Sequence, residues 1–113
     1  MNVSSLIPQP IDKIPFNIRN GLLIPKLSGC YVLTSGNDFI LYIGLTKNLY
    51  NRFQQHVSDP NKTMPTENGR AIWFHYLPAE EIKLHKIERS WMNEYQRQHG
   101  ILPILNKVQS PII

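Results

Sequence analysis

Alternating apolar and polar positions predict a β-hairpin near residue 30. Residues 30–34 and 39–43 are rich in β-branched and aromatic side chains, and residues 35–38, Ser-Gly-Asn-Asp, are typical of a turn. Side chains alternate across a strand, so Tyr31 on the first strand and Tyr42 on the second can project from the same face. The sequence therefore predicts a pair of tyrosines on one side of a sheet, if the register allows it.

Two later segments have the periodicity of amphipathic helices. They span residues 49–57 and residues 79–99, and between them a polar loop at 58–69 precedes a third predicted strand at 70–77. After the second helix the chain returns as a short extended piece at residues 103–108. The order of these elements predicts a small fold that combines strands and helices.

The first 28 residues predict an extended arm, because prolines at four positions disfavour long helices and central strands: Pro8, Pro10, Pro15 and Pro25. We expect one short helix at about residues 12–20. Five apolar side chains are predicted to pack the arm on the domain: Ile11, Ile14, Phe16, Leu22 and Leu23. The arm is either a structural wrapper or, through Lys13, Arg19 and Lys26, a segment that grips nucleic acid. Residues 29–113 form the predicted domain.

Charge and composition narrow the class of protein. The chain has 113 residues, a formal charge of +4 and a pI of about 9.4, which mildly favours a polyanionic partner. Its single cysteine, Cys30, excludes an internal disulfide and a cysteine-cluster zinc site. No apolar run is long enough to span a membrane, and residues 1–10 lack the pattern of a signal peptide. We therefore expect a cytoplasmic protein with no membrane partner.

Glu88 interrupts the apolar stripe of the second helix. At about 100° per residue, Glu88 falls in the middle of a face formed by Leu84, Trp91, Met92 and Tyr95. A carboxylate is costly to bury unpaired. Glu88 is therefore either a partly exposed glutamate paired with a basic neighbour or a metal ligand at the edge of a cleft.

Arg52 and His56 stand four residues apart on the first helix and project together. Two cationic groups side by side repel each other unless an anion lies between them, and a phosphate suits this position. The alternative is the ordinary polar boundary of an amphipathic helix. Tyr31 and Tyr42, taken singly, are typical of strand packing.

Taken together, these residues resemble the GIY-YIG nuclease family. The first motif is present as Gly29-Cys30-Tyr31, with cysteine where isoleucine is usual, and the second as Tyr42-Ile43-Gly44. Four further residues match the family pattern in order: Arg52, His56, Glu88 and Asn106. The resemblance runs from Gly29 to about Val108, and the ordered set is far more specific than the two short motifs alone.

The resemblance implies a compact α/β (α+β) fold, with a small mixed three-stranded sheet that contains the hairpin and is flanked by helices. It also implies hydrolysis of nucleic-acid phosphodiester bonds with one divalent cation, Mg²⁺ or Mn²⁺, bound by Glu88. Arg52 would stabilise the charge that develops on the phosphate, and Asn106 would hold the site in place.

Water would attack the phosphorus in line, and either Tyr31 or Tyr42 would take its proton. His56 would relay a proton or orient Tyr31, which gives Tyr31 a slight preference as the base. Cys30 is expected to be harmless if it points into the core, where a cysteine behaves as a small apolar residue.

Three functions remain open on the sequence. The first is an active, stand-alone, metal-dependent DNA endonuclease, which the presence of all six matching polar residues favours. The second is a nucleic-acid-binding module of the same fold that has lost cleavage, and the third is a nuclease subunit that needs a targeting partner. No motif that reads bases is evident, so residues 1–28 and 58–69 are the segments available to contact DNA.

Overall fold

Within the described part of the chain, four β-strands form one sheet. The computed structural model describes residues 1–106, and its strands are β1 (Asp12–Pro15), β2 (Gly29–Thr34), β3 (Ile40–Thr46) and β4 (Trp73–Pro78). They are ordered β1-β4-β2-β3, and every neighbouring pair is antiparallel. The predicted α+β class is confirmed, while the sheet has four strands rather than three and is antiparallel rather than mixed.

Among residues 1–106, three α-helices accompany the sheet: α1 (Leu49–Val57), α2 (Pro60–Thr63) and α3 (Glu81–His99). Short 3₁₀ turns occur at Val3–Ser5 and Ile18–Leu23. No helix within residues 1–106 combines the length and apolar character needed to cross a membrane. The two long helices lie at the positions that the hydrophobic periodicity predicts.

The sheet separates two hydrophobic cores. On one face, Tyr31 and Leu33 of β2 pack with Phe53 of α1. On the other face, Cys30 and Val32 pack against α3 through Leu84, Trp91 and Tyr95. Cys30 is fully buried, which is the condition under which the cysteine is expected to be harmless, and burial raises the pKa of its thiol to about 12. Alternation along β2 thus sends one motif residue to each core.

The arm contributes a strand where the sequence predicts a helix. β1 pairs with β4, and hydrogen bonds continue the pairing beyond it, from Phe16 N–H to the Ile72 carbonyl at 2.8 Å. Pro15 is tolerated because β1 is an edge strand. Two of the five packing residues, Ile14 and Phe16, are buried as predicted, whereas three are exposed: Ile11, Leu22 and Leu23.

Two later segments also differ from the prediction. The polar loop at residues 58–69 contains α2, which Asp59 caps by accepting a hydrogen bond from Asn61 N–H at 2.9 Å. The predicted extended piece at 103–108 is a turn over residues 103–106, closed by a 3.0 Å bond from Asn106 N–H to the Pro103 carbonyl. Its last two residues lie outside the described part of the chain.

The outer edge of β3 is covered by residues from the beginning and from the end of the described chain. Ile40 N–H donates to the Met1 carbonyl at 2.9 Å, and Asn2 forms a β-bridge with Phe39. Further along β3, Leu105 N–H donates to the Leu41 carbonyl at 2.9 Å. Backbone contacts therefore hold the outer edge of β3, the strand that carries the second motif, where none of the other described strands pairs with it.

Gly29, the first residue of the first motif, is required by close packing of the backbone. A Cβ at this position would lie 2.6 Å from the Leu77 carbonyl oxygen and 3.1 Å from the Pro78 Cα, both on β4. Backbone atoms of a central strand cannot give way as the tip of a flexible side chain can. Glycine at position 29 therefore allows β2 to pair with β4 in the observed register.

We predict that Gly29→Ala lowers the free energy of unfolding by about 1–3 kcal/mol, because the added methyl group overpacks the strand pair. Urea unfolding measures this change. Gly36→Ala is the matched control, since a Cβ there has no heavy atom within 4 Å and its stability should stay close to that of the wild type. Equal stability of the two variants would contradict the packing argument.

Candidate active site

Tyr31 lies at the centre of the candidate site and is completely buried. Its ring stacks on Phe74 at a centroid distance of 5.2 Å and an interplanar angle of 11°. The ring of Tyr42 lies on the same face, with its centroid 6.0 Å away. The register explains this, because Tyr31 lies opposite Gly44 and Tyr42 lies opposite Leu33. The shared face of the two tyrosines is the one that strand alternation predicts.

Gly44, the last residue of the second motif, makes room for Tyr31. A Cβ at position 44 would lie 2.6 Å from the Tyr31 hydroxyl oxygen and 2.9 Å from Cε1 of Tyr42. No side chain fits there unless one of the two rings moves. The absent side chain thus lets the Tyr31 hydroxyl lie beside the ring of Tyr42.

His56 of α1 joins both tyrosines. Its Nε2 lies 2.7 Å from the Tyr31 hydroxyl, and its ring centroid is 5.4 Å from that of Tyr31 and 5.3 Å from that of Tyr42. Burial and, to a smaller extent, the nearby cations Lys62 and Arg52 together lower the pKa of His56 to about 3. His56 is therefore neutral at pH 7, and its Nε2 can accept a hydrogen bond from the Tyr31 hydroxyl.

Both phenols hold their protons tightly. Burial raises the pKa of Tyr31 well above its ordinary value and also raises the pKa of Tyr42, while the charge of Arg52 opposes both shifts. The two groups differ in access, since Tyr42 retains 8% of its surface and Tyr31 retains none. Of the two tyrosines, only Tyr42 therefore keeps contact with solvent.

Arg52 is half-buried and lies one helical turn before His56, as predicted. It borders a cleft of about 380 Å³ that is also lined by polar side chains of Lys47, Asn48, Asn51 and Gln55. Its guanidinium affects the pKa of both tyrosines and of His56. Arg52 therefore connects the buried tyrosine pair with a polar surface cleft.

Lys62 belongs to the site although the sequence pattern gives no sign of it. It lies on α2, is only 6% exposed, and places its Nζ 4.9 Å from the centroid of the Tyr42 ring. The segment around it is polar and contains prolines, which is typical of a solvent-exposed loop. A short helix packed against α1 instead turns this lysine toward Tyr42.

Glu88 lies on α3, half-buried. Burial raises the pKa of its carboxyl group, and the neighbouring side chains His85 and Arg89 oppose this shift. The negative charge of Glu88 contributes to the raised pKa of Tyr42, so Glu88 lies within electrostatic reach of that tyrosine. Among residues 1–106 it forms no ion pair and no side-chain hydrogen bond. The alternative of a glutamate held in an ion pair thus has no counterpart in the described contacts.

The donor set suits a hard cation better than zinc. No group of three or more histidine, cysteine, aspartate or glutamate side chains converges as a metal site within the described residues. Mg²⁺ retains several water ligands and is commonly bound by one or two carboxylates together with substrate phosphate oxygens. A single free carboxylate, Glu88, fits that coordination.

Asn106 supports the second motif without reaching the tyrosines. Its buried amide accepts a 3.0 Å hydrogen bond from Ile43 N–H and donates a 3.0 Å hydrogen bond to the Ile43 carbonyl. Ile43 is the residue between Tyr42 and Gly44, so this pairing fixes the backbone that carries them. Asn106 thus holds the backbone of the second motif in place.

The chain matches one protein-family model. The model describes the GIY-YIG catalytic domain and matches residues 27–101. That range contains both motifs and all the polar site residues described above except Asn106. The match therefore covers the sheet strands β2 to β4 and the helices that supply the site.

Two curated relatives are named UvrABC system protein C. The one from Acidothermus cellulolyticus is 26% identical over 84 residues, and the one from Mycoplasma genitalium is 26% identical over 80 residues. Each alignment covers 69% of this chain and 13% of the relative. The chain thus spans a small part of the length of these relatives.

We predict that the protein becomes less stable as the pH is lowered, because His56 resists protonation in the folded state. The unfolded chain binds a proton near pH 6.5, whereas folded His56 binds one only near pH 3, so the free energy of unfolding declines as pH falls from 6.5 toward 3. His75, whose pKa burial lowers to about 4, acts in the same direction. Urea unfolding at pH 7 and pH 4.5 measures the loss.

His56→Gln should lose less stability between these two pH values than the wild type. His85→Gln is the control, because His85 is exposed and should leave the pH dependence unchanged. An NMR titration that gave His56 a pKa near 6.5 would contradict this interpretation.

Proposed function

The chain belongs to the GIY-YIG nuclease family, and on that premise we propose that it is a metal-dependent endonuclease that hydrolyses phosphodiester bonds of DNA. The observation that carries the proposal is the 2.7 Å contact between the Tyr31 hydroxyl and the neutral ring of His56, beside Tyr42. A phenol pair next to an unprotonated imidazole is an arrangement that can remove a proton from water.

The charges around this contact suit an anionic substrate. The charges of Lys62 and Arg52 both lower the pKa of His56, and the Lys62 ammonium lies over the ring of Tyr42. The formal charge of the chain, +4, extends the same preference to a polyanion. DNA is the polyanion that we propose, with its scissile phosphate beside Tyr42 and Arg52.

Glu88 would hold the divalent cation. A bound Mg²⁺ or Mn²⁺ supplies Lewis-acid stabilisation of a phosphate oxygen and of the leaving oxyanion. Glu88 provides the carboxylate, and its lack of an ion pair among residues 1–106 leaves both oxygens available. The raised pKa of its carboxyl group reflects an ionised form that would gain from a cation.

Tyr42 is the better candidate for the group that contacts water, contrary to the preference drawn from the sequence. Tyr42 has accessible surface, whereas Tyr31 has none. The Tyr31 hydroxyl lies beside the Tyr42 ring above Gly44 and contacts His56 on its other side. Tyr31 would then be a positioning residue that holds His56 beside Tyr42.

In the proposed step the phenolate form of Tyr42 is the base. Water oxygen attacks phosphorus in line, and its proton passes to the Tyr42 oxygen, which later releases it to solvent. Tyr31 keeps its proton and stays in contact with Nε2 of neutral His56. The bond from phosphorus to the leaving oxygen breaks, and that oxygen takes a proton from solvent. The guanidinium of Arg52 stabilises the charge that develops on the phosphate oxygens.

A cleavage assay tests the proposed function directly. The protein is incubated with supercoiled plasmid, branched and single-stranded DNA, and RNA, with Mg²⁺, with Mn²⁺ and with excess chelator. Cleavage of DNA that requires the cation supports the proposal. Binding without cleavage on every substrate would favour the inactive-module alternative instead, and cleavage in excess chelator would overturn the metal requirement.

We predict that Glu88→Gln abolishes cleavage and leaves the fold and DNA affinity nearly intact. The amide preserves the shape of the side chain but lacks the charge that a hard cation prefers. Single-turnover cleavage and the thermal midpoint are measured for both proteins. Glu81→Gln is a matched control on the same helix, because Glu81 is exposed and should cleave at the wild-type rate. Wild-type turnover in Glu88→Gln would remove the metal role.

We predict that turnover rises between pH 7 and pH 9 and that Tyr42→Phe flattens this rise. Burial raises the pKa of Tyr42 above its ordinary value, so Tyr42 is mostly protonated between pH 7 and pH 9. Its small phenolate fraction therefore increases with pH across this range. Tyr31→Phe should lower the rate and keep the rise, because Tyr42 can still ionise. Rate profiles of both variants from pH 6 to pH 9.5 check the assignment, and the opposite pattern would exchange the two roles.

A further inference from the structure

Lys62 has an unusual position for a lysine. Its side chain is 6% exposed, although lysine is rarely buried unless it is paired. α2 fixes its backbone, because Lys62 N–H donates to the Asp59 carbonyl at 2.9 Å and the Asp59 side chain caps the helix. Its place near Tyr42 is therefore set by a structured element.

The Lys62 ammonium has no anionic partner among residues 1–106. It takes part in no ion pair or side-chain hydrogen bond there, and the nearest acid along the chain, Asp59, has its Oδ1 occupied by Asn61 N–H. The described part of the chain also contains no fully buried side-chain nitrogen that lacks a hydrogen-bond partner. The Lys62 nitrogen must therefore keep some accessible surface while its methylene groups are covered.

The surroundings of that nitrogen are the aromatic groups of the site. It lies 4.9 Å from the Tyr42 ring centroid, and its charge lowers the pKa of His56. A cation over an aromatic ring gains a modest electrostatic attraction to the face of the ring. That gain offsets only part of the cost of removing an ammonium from water. An anion at the open end of Lys62 would supply the missing partner.

We propose that the Lys62 ammonium contacts a non-bridging oxygen of the phosphodiester held beside Tyr42, which makes Lys62 a further catalytic residue. The inference rests on the proposed function, because it names a substrate contact of the same site. Lys62 and Arg52 then approach the phosphate from different elements, α2 and α1. Two separate cations can neutralise two phosphate oxygens, whereas Arg52 alone would neutralise one side of the phosphate only.

Cleavage kinetics provide the first test. Lys62→Met keeps an unbranched apolar side chain of similar length and removes the charge. We expect kcat to fall on the order of 10²-fold, the typical loss for one aligned donor, with a smaller change in KM. Lys62→Arg should retain much more activity than Lys62→Met. Lys86→Met is the matched control, because Lys86 is exposed on α3, and its kcat should equal that of the wild type.

A binding experiment separates this proposal from the proposed function. The dinucleotide TpT carries a single phosphodiester, and NMR follows the ring signals of Tyr42 and His56 as it is added with Mg²⁺. Wild type and Lys86→Met should show the same shifts, and Lys62→Met should bind at least tenfold more weakly. In Lys62→Met without ligand, the pKa of His56 should rise, since one of the cations that lower it is gone.

Each result has a defined meaning. Wild-type kcat and wild-type TpT binding in Lys62→Met would overturn the proposal, as would equal losses in Lys62→Met and Lys86→Met. Loss of TpT binding in Lys62→Met with a wild-type protein that cleaves no nucleic acid would refute the nuclease function and keep the phosphate contact. If Lys62→Met does not fold, Lys62→Gln replaces it, and equal kcat for Lys62→Gln and Lys62→Arg would overturn the contact.

Discussion

The burial of Tyr31 is the constraint on which the candidate site depends. A tyrosine with no accessible surface needs a partner for its hydroxyl, and His56 is that partner at 2.7 Å. The contact joins the central strand β2 to helix α1, which also carries Arg52. The stack on Phe74 and the room left by Gly44 hold the Tyr31 ring in one position. The orientation of Tyr31, His56 and Arg52 thus follows from the packing of one aromatic ring.

The same burial gives the site its electrostatic character. Removal from water keeps the phenols protonated and His56 neutral, so the row of groups carries little charge of its own. Charge enters at the rim instead, from Arg52, Lys62 and Glu88. An apolar centre with charged groups around it strengthens electrostatic interactions with a bound phosphate, because little water is present to screen them.

Sequence reasoning succeeds where a pattern is local and fails where tertiary contacts decide. The hairpin and the two long helices carry clear periodicity, and the ordered polar residues identify the family. β1 has four residues with a proline at its end, which is too short for a period to appear, and its pairing with β4 spans about sixty residues of chain. α2 is equally short, and so Lys62 has no sequence signal. Alternation gives the face of Tyr31 but not its depth, which depends on Phe74 from a distant strand.

The cover over the outer edge of β3 has a consequence for how this protein behaves among other chains. An open edge strand can pair with a strand of another molecule, and such pairing leads to aggregation. Here Ile40 is occupied by Met1, Leu41 by Leu105, and both backbone groups of Ile43 by the Asn106 amide. The amide of Asn106 reproduces the two hydrogen bonds of a neighbouring strand with a single side chain. The strand that bears Tyr42 is thereby closed to intermolecular β-pairing along this stretch while its other edge remains paired with β2.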